Sequence, residues 1–108
     1  MRYFNYVYTH NHIQMNGYIY RISTYHYNWH PEVEVLIVLQ GSVEVCHDGD
    51  YTVLEADDCI ILSPQCGHAT LAMTPDTIAL VLHLPPEMMT AYDADFMQYT
   101  FCVYSDKN

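Results

Sequence analysis

The sequence has 108 residues, the size of one domain with a single modest core. It sets 13 acidic residues against three cations, Arg2, Arg21 and Lys107, for a formal net charge of −10. Phosphate backbones and anionic bilayers are held by clustered Lys and Arg, and no such cluster exists here, so this segment is not expected to bind nucleic acid or a membrane surface. The longest uninterrupted apolar runs, at 35–39 and 78–82, fall far short of the roughly 18 residues that span a bilayer. Cys46, Cys59, Cys66 and Cys102 show no C-x-x-C spacing, and the N-terminal YFNYVYTHNH is too polar for a secretory leader. Reduced thiols in a cytoplasmic protein are expected.

In chain order, β signals dominate. Residues 3–8 form a candidate first strand, and 17–27 are β-branched and aromatic up to a break at 28–31. Residues 33–39 are nearly all apolar and stop at Gly41. Residues 42–46 alternate around Glu44, His47-Asp48-Gly49-Asp50 reads as an Asp-Gly hairpin turn, and 51–54 return from it. Residues 59–62 are a buried-type strand ending at Ser63-Pro64. The next pair, 67–73 and 77–84, is expected to join across Thr74-Pro75-Asp76. Pro85-Pro86 then blocks strand pairing, and Pro86 suits the first turn of a short helix over 87–91. Residues 99–104 read as a last strand. Eight or nine short strands with almost no helix predict an all-β fold, a small barrel or sandwich, in one domain over residues 1–108.

The residues that carry chemistry lie in two separated segments, 26–34 and 57–68. Alternation places Asn28, His30, Glu32 and Glu34 on one face of an extended chain. Full extension would hold His30 and Glu34 about 13 Å apart, too far to share an ion, but a bend at Pro31 would bring them together. Imidazole and carboxylate ligate Zn, Ni, Fe or Mn, and His68 from a neighbouring strand would complete a three-ligand set. Without a metal, the same side chains would line a pocket by hydrogen bonding. Glu34 is flanked by apolar residues and needs a partner, or it takes up a proton; His30 and His68 are the candidates. Glu32 is expected to be solvated. No nucleophile stands beside a base, so no catalytic residue is assigned.

Tyr18 and Tyr20 share a face, as do Tyr25 and Tyr27; such rings cover barrel faces or a dimer interface, or stack on a sugar or aromatic effector. Trp29 has the parity opposite to His30 and is expected to point outward, and Met88 and Met89 to pack. His10, His12, His26 and His47 read as surface or turn histidines. His83 lies in an apolar strand and can face the interior, where a lone histidine is ordinarily a satisfied core residue.

The spacing His30-x3-Glu34-x6-Gly41 resembles the first motif of the cupin superfamily, H-x-H-x3/4-E-x6-G, with Asn28 in the place of the first His. The segment Asp57 to His68 resembles the second motif, G-x5-P-x-G-x2-H-x3-N. Here Asp57 stands for the Gly, Pro64 comes one residue late, and Ala72 replaces the Asn. The run HYNWHPEVEVLIVLQGSVEV, the stretch from Leu54 to His68, and the junction Pro86-Glu87-Met88-Met89 are further similar to the sensor half of AraC-type transcriptional regulators.

This likeness covers roughly residues 18–104. It implies a cupin-like jelly-roll barrel that binds a small effector, such as a carbohydrate, through Asn28, His30, Glu34 and His68, commonly without a cofactor. DNA would be contacted only through a C-terminal helix-turn-helix half that is not in this chain, and a homodimer fits the abundance of Tyr and Met. On this reading the chain is not an enzyme. The alternative is a small stand-alone cupin enzyme, an oxygenase or isomerase, with one divalent transition metal on His30, Glu34 and His68.

Overall fold

Among the described residues, ten strands and one short helix follow the order that the turn residues mark. The computed structural model describes residues 2–10, 13–22, 26–28, 30–64, 67–96 and 102–104. The strands are β1 (Arg2–His10), β2 (Ile13–Ile22), β3 (His26–Asn28), β4 (Val33–Gln40), β5 (Ser42–His47), β6 (Asp50–Glu55), β7 (Cys59–Leu62), β8 (His68–Ala72) and β9 (Thr77–Leu84). The helix α1 (Pro86–Thr90) and β10 (Cys102–Tyr104) follow. They form a six-stranded sheet, β1-β2-β9-β4-β7-β10, and a four-stranded sheet, β3-β8-β5-β6. Neighbouring strands run antiparallel. The expected all-β, jelly-roll class is the one observed.

The core lies between the sheets, with Leu36, Val38, Ala79, Val81, Ile60 and Leu62 from one meeting Val43, Val45 and Leu54 from the other. Each fully buried side chain of this kind contributes about 1.5–3 kcal/mol. Burial alternates along β4 from Glu34 to Val38, throughout β5 and β7, and along β9 from Thr77 to Leu82, so period-2 geometry sends alternate residues into this core.

Two expectations need correction. The strand predicted over 17–27 begins at Ile13 and ends at Ile22, with His26–Asn28 a separate strand in the other sheet, and Gly17 lies mid-strand opposite Leu82, where a Cβ would come 2.9 Å from Leu82 Cδ2. The strands on either side of Thr74-Pro75-Asp76 do not pair. β8 belongs to the four-stranded sheet and β9 to the six-stranded one, so this turn carries the chain across the sandwich. Local turn chemistry marks a reversal but does not say which sheet receives the next strand.

Gly41 makes another of the crossings between sheets, from β4 to β5. Its φ is +85°, and a Cβ there would sit 2.9 Å from the Thr77 Cα. Thr77 is fully buried beside it; its hydroxyl donates to the Thr74 carbonyl at 2.8 Å, and the Ser42 carbonyl lies 3.2 Å away. Thr74 Oγ1 accepts the Ser42 N–H at 3.0 Å and stands 3.0 Å from Thr77 Oγ1. The β5–β6 hairpin turns through Asp48 and Gly49, both at positive φ (48° and 80°), as a two-residue type I′ turn requires. Asp57, at the position where the cupin motif has Gly, also has positive φ, at 76°. Among the described residues, no helix is long and apolar enough to cross a membrane.

Candidate functional site

Glu34 enters the interior near the start of β4, on the face that continues through Leu36 and Val38. β9 pairs with β4 so that His83 stands directly opposite Glu34, on the face of Thr77, Ala79 and Val81. β8 presents buried His68 from the facing sheet. His30 precedes β4, and the chain bends at Pro31 and Glu32, as expected, which turns its imidazole back onto Glu34. Three imidazoles, from His30, His68 and His83, thus converge on one carboxylate.

The contacts are short. His30 Nε2 donates to Glu34 Oε1 at 3.1 Å and His83 Nε2 donates to the same oxygen at 2.9 Å. His68 Nε2 lies 3.1 Å from Oε2. The His30 ring stands edge-on to His68 at 5.2 Å and tilted against His83 at 4.5 Å; Tyr18 closes the group edge-on to His83 at 5.6 Å. An ionised carboxylate only accepts, so His30 and His83 must each carry a proton on Nε2 to bond it.

The electrostatics follow from this geometry. Glu34 is 4% exposed, and burial by itself pushes its carboxyl up. Hydrogen bonds from His30, His68 and His83 outweigh the burial and hold it well below the usual carboxylate range. The His30 imidazole is raised, first by its hydrogen bond to Glu34 against the cost of burial, then by the charges of Glu34 and Glu32. Its Nδ1 faces the Glu32 carbonyl at 3.1 Å, so both ring nitrogens meet acceptors and the doubly protonated ring is favoured. Glu32, expected to be solvated, is half-buried and acts on His30 through that carbonyl.

The donor set fits a transition metal. One ligand atom each from His30, Glu34 and His83 lie within 4.8 Å of one another, and two imidazoles with a carboxylate suit Zn, Ni, Fe or Mn. A metal would take the Nε2 lone pairs that protons now hold, so binding would release protons. The expected set was His30, Glu34 and His68. The compact group contains His83 instead, while His68 meets the same carboxylate through its other oxygen. Two residues along β8 from His68, Thr70 Oγ1 is buried with no hydrogen-bond partner among the described residues. A buried polar atom of this kind ordinarily has a partner.

Asn28 stands opposite His68 in the β3–β8 register, but its side chain lies outside the described residues. Trp29, Tyr25 and His12, and the side chains of His10 and His26, also lie outside them. His47 is not a surface histidine: it is 6% exposed, its Nε2 is 3.1 Å from Thr52 Oγ1, and β5 pairs it with His68. The hairpin that exposes Asp48 and Gly49 turns the preceding strand residue inward. Tyr18 and Tyr20 share a face as expected, with rings 5.4 Å apart, and that face packs on the core rather than on solvent. His83 was underrated. The available signal was parity: Thr77, Ala79, Val81 and His83 share one face of the strand, and that face is buried through Val81.

No curated protein matches this sequence. Similar solved structures include a cupin-2 domain protein from Shewanella frigidimarina, at 13% identity and a TM-score of 0.62 over 78% of this chain and 82% of that one. KdgF from a Halomonas species is similar at 19% identity and a TM-score of 0.60 over 75% and 76%. A Ralstonia eutropha protein provisionally named a mannose-6-phosphate isomerase is similar at 17% identity and a TM-score of 0.57 over 76% and 83%. At these identities the likeness is one of fold. Residues 22–84, which contain His30, Glu34, His68 and His83, match the cupin domain family, and with the two-sheet fold and the inward Glu34–histidine cluster this places the chain in the cupin superfamily.

Proposed function

We propose that this domain binds a small polar effector, such as a monosaccharide, at the Glu34 cluster, as the cytoplasmic sensing half of an AraC-type transcriptional regulator. The observation that carries the binding centre is a buried carboxylate that gathers three imidazoles, with the Thr70 hydroxyl and the Tyr18 ring at hand. An effector hydroxyl can accept from His30, donate to Glu34 and lie against Tyr18. It would exchange contacts already present rather than require new burial of charge. The regulator context rests on the motif likeness and on the Pro86-Glu87-Met88-Met89 junction, which forms the start of α1.

His83 lies three residues before α1, so a ligand that displaces His83 from Glu34 acts on the segment leading out of the domain. Ligand binding would then shift the balance between states that present a DNA-binding half differently. Calorimetry with a panel of pentoses and hexoses tests the binding centre. His30→Ala and Glu34→Ala are expected to abolish the heat of the sugar that binds, and unchanged affinity in both variants overturns the assignment. The mass of the native gene product tests the context. A product of about 25–30 kDa with helix-turn-helix patterns in its remainder, one further domain, supports it; a product of 12.6 kDa overturns it.

The spacing of His30, Glu34 and His83 favours one second reading, a metal-dependent cupin enzyme of the oxygenase or isomerase type. A bound divalent metal would supply a Lewis acid with an open coordination position. Glu34 would contribute the anionic ligand, and His68, on the second carboxylate oxygen, would hold a proton at Nε2 beside it. Metal content near one equivalent in protein purified without a nickel column supports this reading, and content well below that removes it.

A further inference from the structure

In the four-stranded sheet Val43, Val45 and Leu54 point into the core, so period-2 geometry sends Glu44, Cys46, Tyr51 and Val53 to the outer face. Register builds three rows there. Tyr27, Ala69, Cys46 and Tyr51 make the first, and Leu71, Glu44 and Val53 the second. Met73 and Ser42, joined by a backbone hydrogen bond of 2.8 Å, lead to Glu55 in the third. Among the described residues, five of the eight exposed large apolar side chains belong to these rows: Tyr27, Tyr51, Val53, Leu71 and Met73. Such side chains scattered singly need no explanation, but a contiguous group marks an interaction surface. Glu44 stands inside the group. Leu71 and Val53 flank it in register, it is half-buried, and no described residue gives its carboxylate a hydrogen bond or a cation. Any surface that covered its apolar neighbours would strip solvent from this carboxylate, and a desolvated charge has to be paired. The covering surface must therefore bring its own cation.

We propose that this face docks a different protein, through an apolar segment that presents an Arg or Lys to Glu44. Four strands at about 4.8 Å, with three rows at about 6.8 Å, make a face of about 20 by 20 Å. That is about 400 Å² in plan, the scale of a transient interface rather than a permanent one. Charge selects the chemistry of the occupant. Glu55 stands diagonal to Glu44 in the next row, and the whole chain carries a net charge of −10. Of its three cations, Arg21 already holds Asp76 at 2.7 Å. A second copy is a poor occupant, because a two-fold contact through this face would bring two Glu44 carboxylates together without a cation between them. A cationic segment meets no such repulsion and is drawn in by the acidic surface. The face lies on the side of the four-stranded sheet away from buried His68, so its test does not involve the Glu34 cluster.

Short random peptides displayed on phage and selected on the immobilised chain supply the probe; those enriched are synthesised and titrated by fluorescence anisotropy. They are expected to carry an Arg or Lys between apolar residues. Glu44→Gln, which removes the charge that the cation meets, should weaken their binding at least about tenfold. Val53→Lys, which sets a cation against a cation, should weaken it at least about 100-fold, with circular dichroism unchanged. If Val53→Lys does not fold, Val53→Thr keeps the branched shape and should weaken binding about threefold. Glu87→Gln, at an exposed carboxylate on α1, should leave it unchanged. The proposal is overturned if no peptide is enriched, if the enriched peptides lack a cation or lack apolar residues, if their binding survives Glu44→Gln, or if Glu87→Gln weakens it equally. A chain that sediments as a dimer and is dissociated by Val53→Lys would give the face to a second copy, and overturns the proposal too.

Discussion

The two ends of the sandwich are both polar inside, and they differ in how their hydrogen bonds are balanced. At the Gly41 end, Ser42, Thr74 and Thr77 form a closed set in which donors meet acceptors, without a charge. The cleft beside it, about 340 Å³, is rimmed by Arg21, which is already paired with Asp76 at 2.7 Å. At the Glu34 end, one carboxylate serves three imidazoles, and the Thr70 hydroxyl is left over. A balanced network holds a crossover in place. An unbalanced and charged one keeps capacity for something further, as the proposed binding centre requires.

The largest effect that would break this contrast is expected from Glu34→Gln. Removing the charge from beneath three imidazoles should lower affinity for a divalent metal, read with Zn or Ni by calorimetry, at least about 100-fold, and should cost about 3 kcal/mol of stability in chelator-treated protein. Thr77→Val is the matched change at the other end. It should cost about 2 kcal/mol by stranding the Ser42 and Thr74 groups, read by urea denaturation, and leave metal or sugar affinity unchanged. Equal losses of binding in both variants would erase the distinction between the two ends.

Acid and base sharpen the comparison further. The Glu34 carboxyl is lowered on folding, so its contribution is complete above its ordinary value of 4.5 and is lost as pH falls below that toward the folded value. The His30 imidazole is raised, so its contribution is complete below 6.5 and is lost as pH rises through the folded value. The stability difference between wild type and Glu34→Gln, in chelator, should therefore peak between pH 4.5 and 6.5 and decline on both sides. The difference between wild type and Thr77→Val should be flat over the same range. Flat profiles for both would show that the cluster carries no charge. The smallest effect is Asp57→Gly, which should stabilise the protein by about 0.5–1 kcal/mol in thermal melts, because Gly adopts the positive φ of 76° without strain.

Much of this was legible along the chain. The Asp48-Gly49 turn, the apolar strands β4, β7 and β9, and the Pro86 helix start are local: each rests on the φ preference or side-chain period of a few consecutive residues. His30 and Glu34 were also legible, because one bend at Pro31 suffices to join them. His83 was not, since 49 residues separate it from Glu34 and only the β4–β9 register makes them neighbours. The burial of His47 beside His68 depends in the same way on β5–β8 pairing.

The sequence by itself therefore determined most of the strands, the Asp48-Gly49 turn and the acidic, all-β character of this protein, because those follow from local conformational preference and composition. The tertiary structure alone decided that Thr74-Pro75-Asp76 crosses between sheets, that His83 joins His30 on a single Glu34 oxygen, and that Glu44 stands among apolar side chains on an outward sheet face. These depend on which strands pair and in what register, and register is set by burying side chains from distant parts of the chain together.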